Sequence, residues 1–218
     1  HSLKLFYGTA FRAPSLMQLD TTESITIAPS PNLKPENIQT TELVWLAQAS
    51  RFSLSVSAFY NVIDDRIDAS GFVNGRKTNV NRDQEDSSGL ELETSFQLSP
   101  SCLVRASLTD FLAMPESSLR ESKHLASLII NYQHENWWAN LAGYYNSERE
   151  MPDPNGTIDG YSALNLKTGY LFTPQLNGFF QIKNLLDNDV ASAAQNPSIV
   201  TPVLYRGREA SIGLMLDF

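Results

Sequence analysis

The chain has 218 residues, 42% of them apolar, and a formal net charge of −8. That acidity argues against a general nucleic-acid binder, and the strongest apolar run, "LASLII" at 125–130, is far too short for a transmembrane helix. Neither observation excludes a transmembrane barrel, whose strands need only about 9–11 alternating residues.

Alternation by two begins almost at once. "LKLFYGTAF" (3–11) sets Leu3, Leu5, Tyr7 and Phe11 on one face, with Lys4, Gly8 and Ala10 on the other. After a weaker segment at 37–48, "FSLSVSAFYN" (52–61) opposes Leu54, Val56, Ala58 and Tyr60 to Ser53, Ser55, Ser57 and Asn61. "GLELETSFQL" (89–98) opposes Leu90, Leu92, Phe96 and Leu98 to Glu91, Glu93, Ser95 and Gln97. Weaker segments follow at 102–110, 123–133 and 137–146, then the clear "ALNLKTGYLF" (163–172) and a further segment at 176–184. The chain closes on "REASIGLMLDF" (208–218), where Ala210, Ile212, Leu214, Leu216 and Phe218 share one face. This makes about ten strands with no competing helical period, so the expectation is an all-β chain.

The connections sort into two alternating classes. Short ones fall at 49–51, 99–101, 134–136 and 173–175, and long ones near 12–36, 68–80, 111–122, 147–160 and 187–204. Short turns at one end and long loops at the other are the anatomy of an outer-membrane barrel. Aromatics follow the same division. Phe52, Trp137, Phe172 and Phe218 sit beside short turns, and Phe11, Tyr60, Tyr145, Tyr161 and Tyr205 sit toward long loops, as two interfacial belts would. The apolar face is expected to meet lipid and the polar face the lumen. The first residue is His1 rather than Met, and alternation begins two residues later with no turn before it, so the chain reads as a fragment of a larger barrel.

Six stretches add a family resemblance. "YGTAFRAPSLMQL" (7–19) contains a FRAP box (Phe11, Arg12, Ala13, Pro14). "SPNLKPEN" (30–37) resembles an N-P-N-L-K-P-E box through Asn32, Leu33, Lys34, Pro35 and Glu36, with Ser30 in place of its first Asn. "FYNVIDDRI" (59–67) and "GLELE" (89–93, with Gly89, Glu91 and Glu93) match recurring strand segments, and "IKNLLDND" (182–189) carries Asn184, Leu185 and Asp187 of an N-L-x-D segment. "RGREASIGLMLDF" (206–218), with Gly207 and Arg208, resembles a closing strand that ends in Phe. In this order the stretches resemble the C-terminal half of a TonB-dependent outer-membrane receptor.

The resemblance implies an antiparallel transmembrane barrel of about 22 strands, of which residues 1–218 would supply about ten, with the plug domain and N-terminal strands absent. It implies periplasmic short turns, extracellular long loops, and Phe218 as an assembly signal read by the barrel-assembly machinery. It further implies outer-membrane lipid as surroundings and the TonB-ExbB-ExbD complex as a partner, engaged through the plug.

Individual residues read more plainly. Pro14 removes a ladder donor and ends the first strand, and Arg12 beside it is a candidate ligand contact. Pro31, Pro35 and Glu36 punctuate the chain after the loop. Glu91 and Glu93 share the lumen face, suited to plug arginines or water, and Asn184 and Asp187 read as loop caps. "DPNGTIDG" (153–160) alternates oxygen-bearing residues but lacks the later glycine and glutamate of a calcium loop, so a tight Asn155-Gly156 turn explains it. No phosphate loop, Ser-His-Asp set or paired cysteine points to catalysis, and neither metal nor cofactor is expected. A passive pore and a barrel hydrolase are the rival classes. For a receptor, Phe72, Arg76, Phe111, Met114, Met151 and Tyr205 are the expected loop contacts, together with Arg12. They mix apolar groups with cations and suit an organic chelate. The acidic group Asp64, Asp65 and Asp68 weighs against strongly anionic ligands. The loop at 15–30 has no His, which lowers haem. A ferric siderophore is expected first and cobalamin second.

Overall fold

The alternating stretches form strands that pair with their neighbours in chain order. The computed structural model describes residues 1–20, 26–115, 118, 121–150, 156–192 and 203–216. Along them run β1 (Ser2–Arg12), α1 (Leu16–Leu19), β2 (Glu36–Ala49), β3 (Phe52–Asp64), β4 (Ile67–Val73), β5 (Arg76–Asn81), β6 (Glu85–Ser99) and β7 (Cys102–Ala113). Then follow β8 (His124–His134), β9 (Trp137–Asn146), β10 (Arg149–Glu150), β11 (Thr157–Ile158), β12 (Tyr161–Leu171), β13 (Leu176–Lys183), β14 (Ala191–Ser192), β15 (Val203–Leu204) and β16 (Glu209–Leu216). Ten strands join in one antiparallel sheet in the order β1-β2-β3-β6-β7-β8-β9-β12-β13-β16. The pairs β4-β5, β10-β11 and β14-β15 stand apart, each inside a long connection.

Four local elements, α1 and these three pairs, depart from the expected loops, and two of them show a local cause. In the second long connection, Asn74 (φ 50°) and Gly75 (φ 78°) both take left-handed backbone, the requirement of a two-residue hairpin turn, and so β4 pairs with β5. In the first, Ser15 and Gln18 form a reciprocal capping box, Ser15 N–H donating to Gln18 Oε1 at 2.9 Å, and this starts the single turn of α1. The sheet strand β6 also starts at Glu85, four residues before the alternation becomes plain at Gly89.

Residues opposite one another in an antiparallel pair share a face, so the registers define both sides of the sheet. One row runs Leu3, Trp45, Val56, Leu92, Leu108 and Ala126 across six strands. On the opposite side a row runs Leu46, Ser55, Glu93, Ser107, Ser127 and Tyr144. Serines hydrogen-bond along this polar side, Ser53 to Ser95 and Ser107 to Ser127, each at 2.8 Å. Tyr161 pairs with Asn146 on the polar side. It therefore leaves the outer aromatic belt in which the sequence had put it.

No large apolar side chain is fully buried among the described residues. Leu5, Leu214 and Ile212 are 71%, 74% and 86% exposed. The buried apolar residues are few and mostly small, and Ala28, Ile67 and Ile158 lie toward the long loops. A sheet this long without a core on either face must find its apolar solvent outside the chain. No described helix is long and apolar enough to cross a membrane, and the strands, eight to fifteen residues long, have the length for it. β1 and β16 are each paired on one side only, as in a partial barrel.

The face assignment has a direct check in a complete barrel that contains this chain. Leu214 stands on the apolar face opposite Gly178, and Ser211 on the polar face opposite Gln181. Leu214→Arg is expected to cost about 2–4 kcal/mol near the midplane, and Ser211→Arg much less. Heat-modifiable mobility of the folded barrel measures both, and equal losses would refute the assignment.

Candidate functional site

Function in such a sheet must come from its loop rim and its polar wall. At the rim, the last residue of β1 pairs with the first of β2. Arg12 grips Glu36 with two parallel hydrogen bonds, Nε to Oε2 at 2.5 Å and Nη2 to Oε1 at 2.6 Å. The N–H of Ile67 adds a third bond to Glu36 Oε1 at 2.6 Å. The Glu36 side chain is only 8% exposed, whereas that of Arg12 is 51% exposed. Both lie on the loop side of the Thr41–Tyr60 rung, beyond the aromatic ring. The bond from Arg12 holds the Glu36 carboxyl below its ordinary range, burial opposes this, and the Ile67 N–H reinforces it. The guanidinium of Arg12 is thus committed to a clamp that closes the first long loop.

The second box is held against the β4-β5 hairpin. Ser30, standing where the family box has Asn, hydrogen-bonds Thr78 Oγ1 at 2.6 Å and accepts the Asn79 N–H at 3.0 Å. In the turn at Pro31 and Asn32, Leu33 N–H reaches Ser30 O. Lys34 N–H donates to Asn81 Oδ1 at 2.8 Å, and Asn81 Nδ2 returns a bond to Lys34 O and donates another to Asp65 O. The acidic group beside it is largely offset. Asp65 faces Lys34 at 3.5 Å, and Asp68 faces Arg66 at 3.6 Å and Arg82 at 3.3 Å. Repulsion of anions from this rim is weaker than the bare count of aspartates implies.

The last long loop is closed by similar chemistry. Asn184 (φ 49°) and Asp187 (φ 57°) turn the chain, and the Asn184 amide donates to Asn188 O at 2.8 Å while its N–H is received by Asn165 Oδ1 at 2.9 Å. Leu185 N–H reaches back to Leu164 O at 2.7 Å. Asp187 Oδ1 accepts the Arg208 N–H at 2.8 Å, and its second oxygen lies 3.7 Å from the guanidinium. A Cβ at Gly207 would come within 3.0 Å of that carboxylate. The N-L-x-D segment and the start of the closing strand therefore hold each other. Arg66 with Glu85 (2.9 Å) and His124 with Asp110 (2.7 Å) stand at the bases of two further loops.

The polar wall is different. Glu91 lies between Ser57 and Thr109, and Glu93 between Ser55 and Ser107. Together with Glu42 and Arg105 they make no ion pair among the described residues. Gly89 sits between Phe59 and Phe111, whose rings meet edge to face with centroids 5.6 Å apart. A Cβ there would fall 2.5 Å from the Phe59 ring. Phe111, expected in a loop, is a strand residue of β7 packed on the inner wall.

The remaining expected contacts are dispersed. Phe72 and Arg76 share the tip of the β4-β5 hairpin, with Phe72 68% exposed. Met114 follows β7 and lines a hollow of about 170 Å³ with Lys123, Glu148 and Arg149. Tyr205 is exposed in the last loop, its N–H bonded to Val190 O at 2.8 Å. Met151 and Phe218 lie outside the described residues, as do Asp153 and Asn155. The Arg12–Glu36 pair was readable in principle, because a cation leaving one strand faces an anion entering the next across a single loop.

Residues 1–185 match the family model described as TonB dependent receptor-like, beta-barrel. The vitamin B12 transporter BtuB of Vibrio vulnificus (strain YJ016) is 27% identical over 191 residues, covering 85% of this chain and 30% of that protein. The ferric-catecholate import receptor Fiu from E. coli K12 superposes with a TM-score of 0.77 at 18% identity, over 99% of this chain and 33% of Fiu. The ferric enterobactin receptor PfeA of Pseudomonas aeruginosa gives 0.80 at 15% identity, over 99% and 38%. The chain thus spans about a third of the length of these relatives.

Arg12→Ala leaves the buried Glu36 carboxylate with a single backbone donor, and the clamp is expected to lose about 1–3 kcal/mol. Amide exchange at Ile67 and protease nicking of the first loop in a complete barrel containing this chain should both rise. Because the folded carboxyl is depressed, the clamp's contribution is complete above about pH 4.3. It is lost as pH falls through the lowered value, and the same exchange measurement at acid pH reads this.

Proposed function

The chain belongs to the TonB-dependent receptor β-barrel family, and from that premise we propose that it forms part of an outer-membrane receptor importing a scarce nutrient by TonB-coupled transport. The observation that carries this is the sorting of the sheet. Five long connections, four of them tied by a side-chain pair at the base, leave one rim, four short turns occupy the other, and a charged inner wall lies between them. In this reading the long loops are extracellular and the short turns periplasmic. The remaining strands and a lumen-filling plug come from the rest of the receptor. Glu91 and Glu93 meet arginines of that plug, and the plug conveys force from the TonB-ExbB-ExbD complex. The sheet enters the membrane through the barrel-assembly machinery. Catalysis has no place in this reading, and the relatives are transporters and receptors.

For the cargo we take a ferric siderophore as the first reading. The support is the hairpin tip beside Arg76, where the exposed Phe72 offers apolar area to an organic chelate. Cobalamin is the second reading, favoured by the sequence likeness to a vitamin B12 transporter. A deletion strain carrying the intact receptor separates them by growth on ferric siderophores as sole iron source and by uptake of labelled cobalamin. The first reading expects siderophore use to be lost on deletion and reduced at least several-fold by replacing Phe72 and Arg76 together with alanine. Loss of cobalamin uptake alone would replace it with the second.

A further inference from the structure

The clamps at the loop rim tie a connection to its own base, but one line of contacts runs from loop to loop. It begins where the third long connection meets β8. Ser122, 4% exposed, donates its hydroxyl to Ser147 O at 3.0 Å. Ser147 N–H reaches His124 O at 2.9 Å, and the Ser147 hydroxyl accepts the His124 N–H at 3.2 Å. Ser147 is the first residue after β9, so the fourth connection starts bound to the end of the third.

Two residues later Arg149 of β10 carries the line into the fifth connection. Its Nη2 donates to Ala191 O of β14 at 2.5 Å, and its Cζ stands 5.6 Å from the centre of the Tyr161 ring. Backbone pairing sets Arg149 opposite Ile158, which is 2% exposed, and Ala191 opposite Leu204. The side chain thus joins the β10-β11 pair to the β14-β15 pair. A second tie, Asn188 Nδ2 to Ser162 O at 2.9 Å, fixes the start of the fifth connection to β12 and involves neither pair.

The joint at Arg149 is built unlike the clamp at Arg12. The Glu36 carboxylate is buried, and opening its clamp strands a charge. The acceptor on Ala191 is a neutral carbonyl and the Tyr161 ring is uncharged, so opening strands none. The guanidinium then regains water, also at its buried Nε–H, which has no acceptor among the described residues. Such contacts hold a long side chain against its rotamer entropy and leave release accessible. We propose that Arg149 is a releasable pin that couples the two pairs, so that opening of one opens the other. Tyr205, one of the contacts expected of a receptor, hangs from the second pair through its N–H bond to Val190 O at 2.8 Å. Under the receptor reading, Arg149 is then a positioning residue for Tyr205 across two loops, whichever cargo is taken.

Coupling between two sites is reciprocal, so either pair reports on the other. In a complete barrel that contains this chain, Arg149→Ala is expected to raise hydrogen exchange of the Tyr205 amide at least about five-fold, the lower end of such couplings. In the other direction, Tyr205→Pro removes the bond to Val190 O and is expected to raise exchange at Thr157 and Ile158. Gly169, in the wall between β9 and β13, is expected to keep its wild-type exchange in both variants. Heat-modifiable mobility identifies the folded barrels, and one folded variant suffices. No change at Tyr205 in folded Arg149→Ala, or none at Thr157 and Ile158 in folded Tyr205→Pro, overturns the proposal. So does an equal rise at Gly169, which marks loosening of the whole barrel. Exchange is read without cargo, so the outcome does not depend on which nutrient is imported.

Discussion

A strand in hydrocarbon has no water to satisfy its N–H and C=O groups, so each must find them in the strand beside it. The rest of this structure follows from that constraint. It demands an unbroken sequence of antiparallel partners, which the ten-stranded sheet supplies. It also leaves every strand with two faces and no interior, because side chains alternate to either side of the pairing plane. The apolar residues that a water-soluble protein would bury are here turned outward, and Ile212 and Leu214 are among its most exposed side chains. Cohesion comes from backbone pairing and rung contacts, and the bilayer takes the part of a core.

Charge is distributed by the same logic. At the loop rim, charges are neutralised within the chain, by Arg12 on Glu36, Arg66 on Glu85 and Arg208 near Asp187, and the ring of His124 contacts Asp110. On the inner wall Glu42, Glu91, Glu93 and Arg105 have no such neighbour among the described residues. The first group anchors loops whose ends must stay near their strands. The second is available to whatever occupies the lumen. Side chains of the same chemistry therefore do different work according to the strand position that presents them.

Much of this was legible in the alternation. A period of two along Leu54, Val56 and Ala58 or Leu90 and Leu92 identifies strands and faces together, because a one-residue slip would invert every side chain. The ends of elements were less legible. The α1 turn rests on two side chains, Ser15 and Gln18, and the β4-β5 hairpin on the backbone of Asn74-Gly75, both too short for a periodic pattern to register. Tyr161 and Phe111 were misplaced because aromatics suit a belt and a packed wall equally, and only the register separates them. The site was legible as boxes but not as contacts. FRAP and N-L-K-P-E are contiguous words, whereas the bond between Arg12 and Glu36 depends on two strands meeting at one rung.

The clamps carry a consequence for how such a chain can change. Once both ends of a loop are tied at its base, the barrel no longer senses how long the loop is. Lengthening a flexible loop then costs only about 0.6 kcal/mol per doubling, a small amount beside the ten-strand pairing it leaves untouched. The segment between Arg12 and Glu36, or between Asp187 and Arg208, is thereby open to insertion, deletion and exchange, provided the pair itself is kept. These segments are then replaceable cassettes, with the wall as their socket.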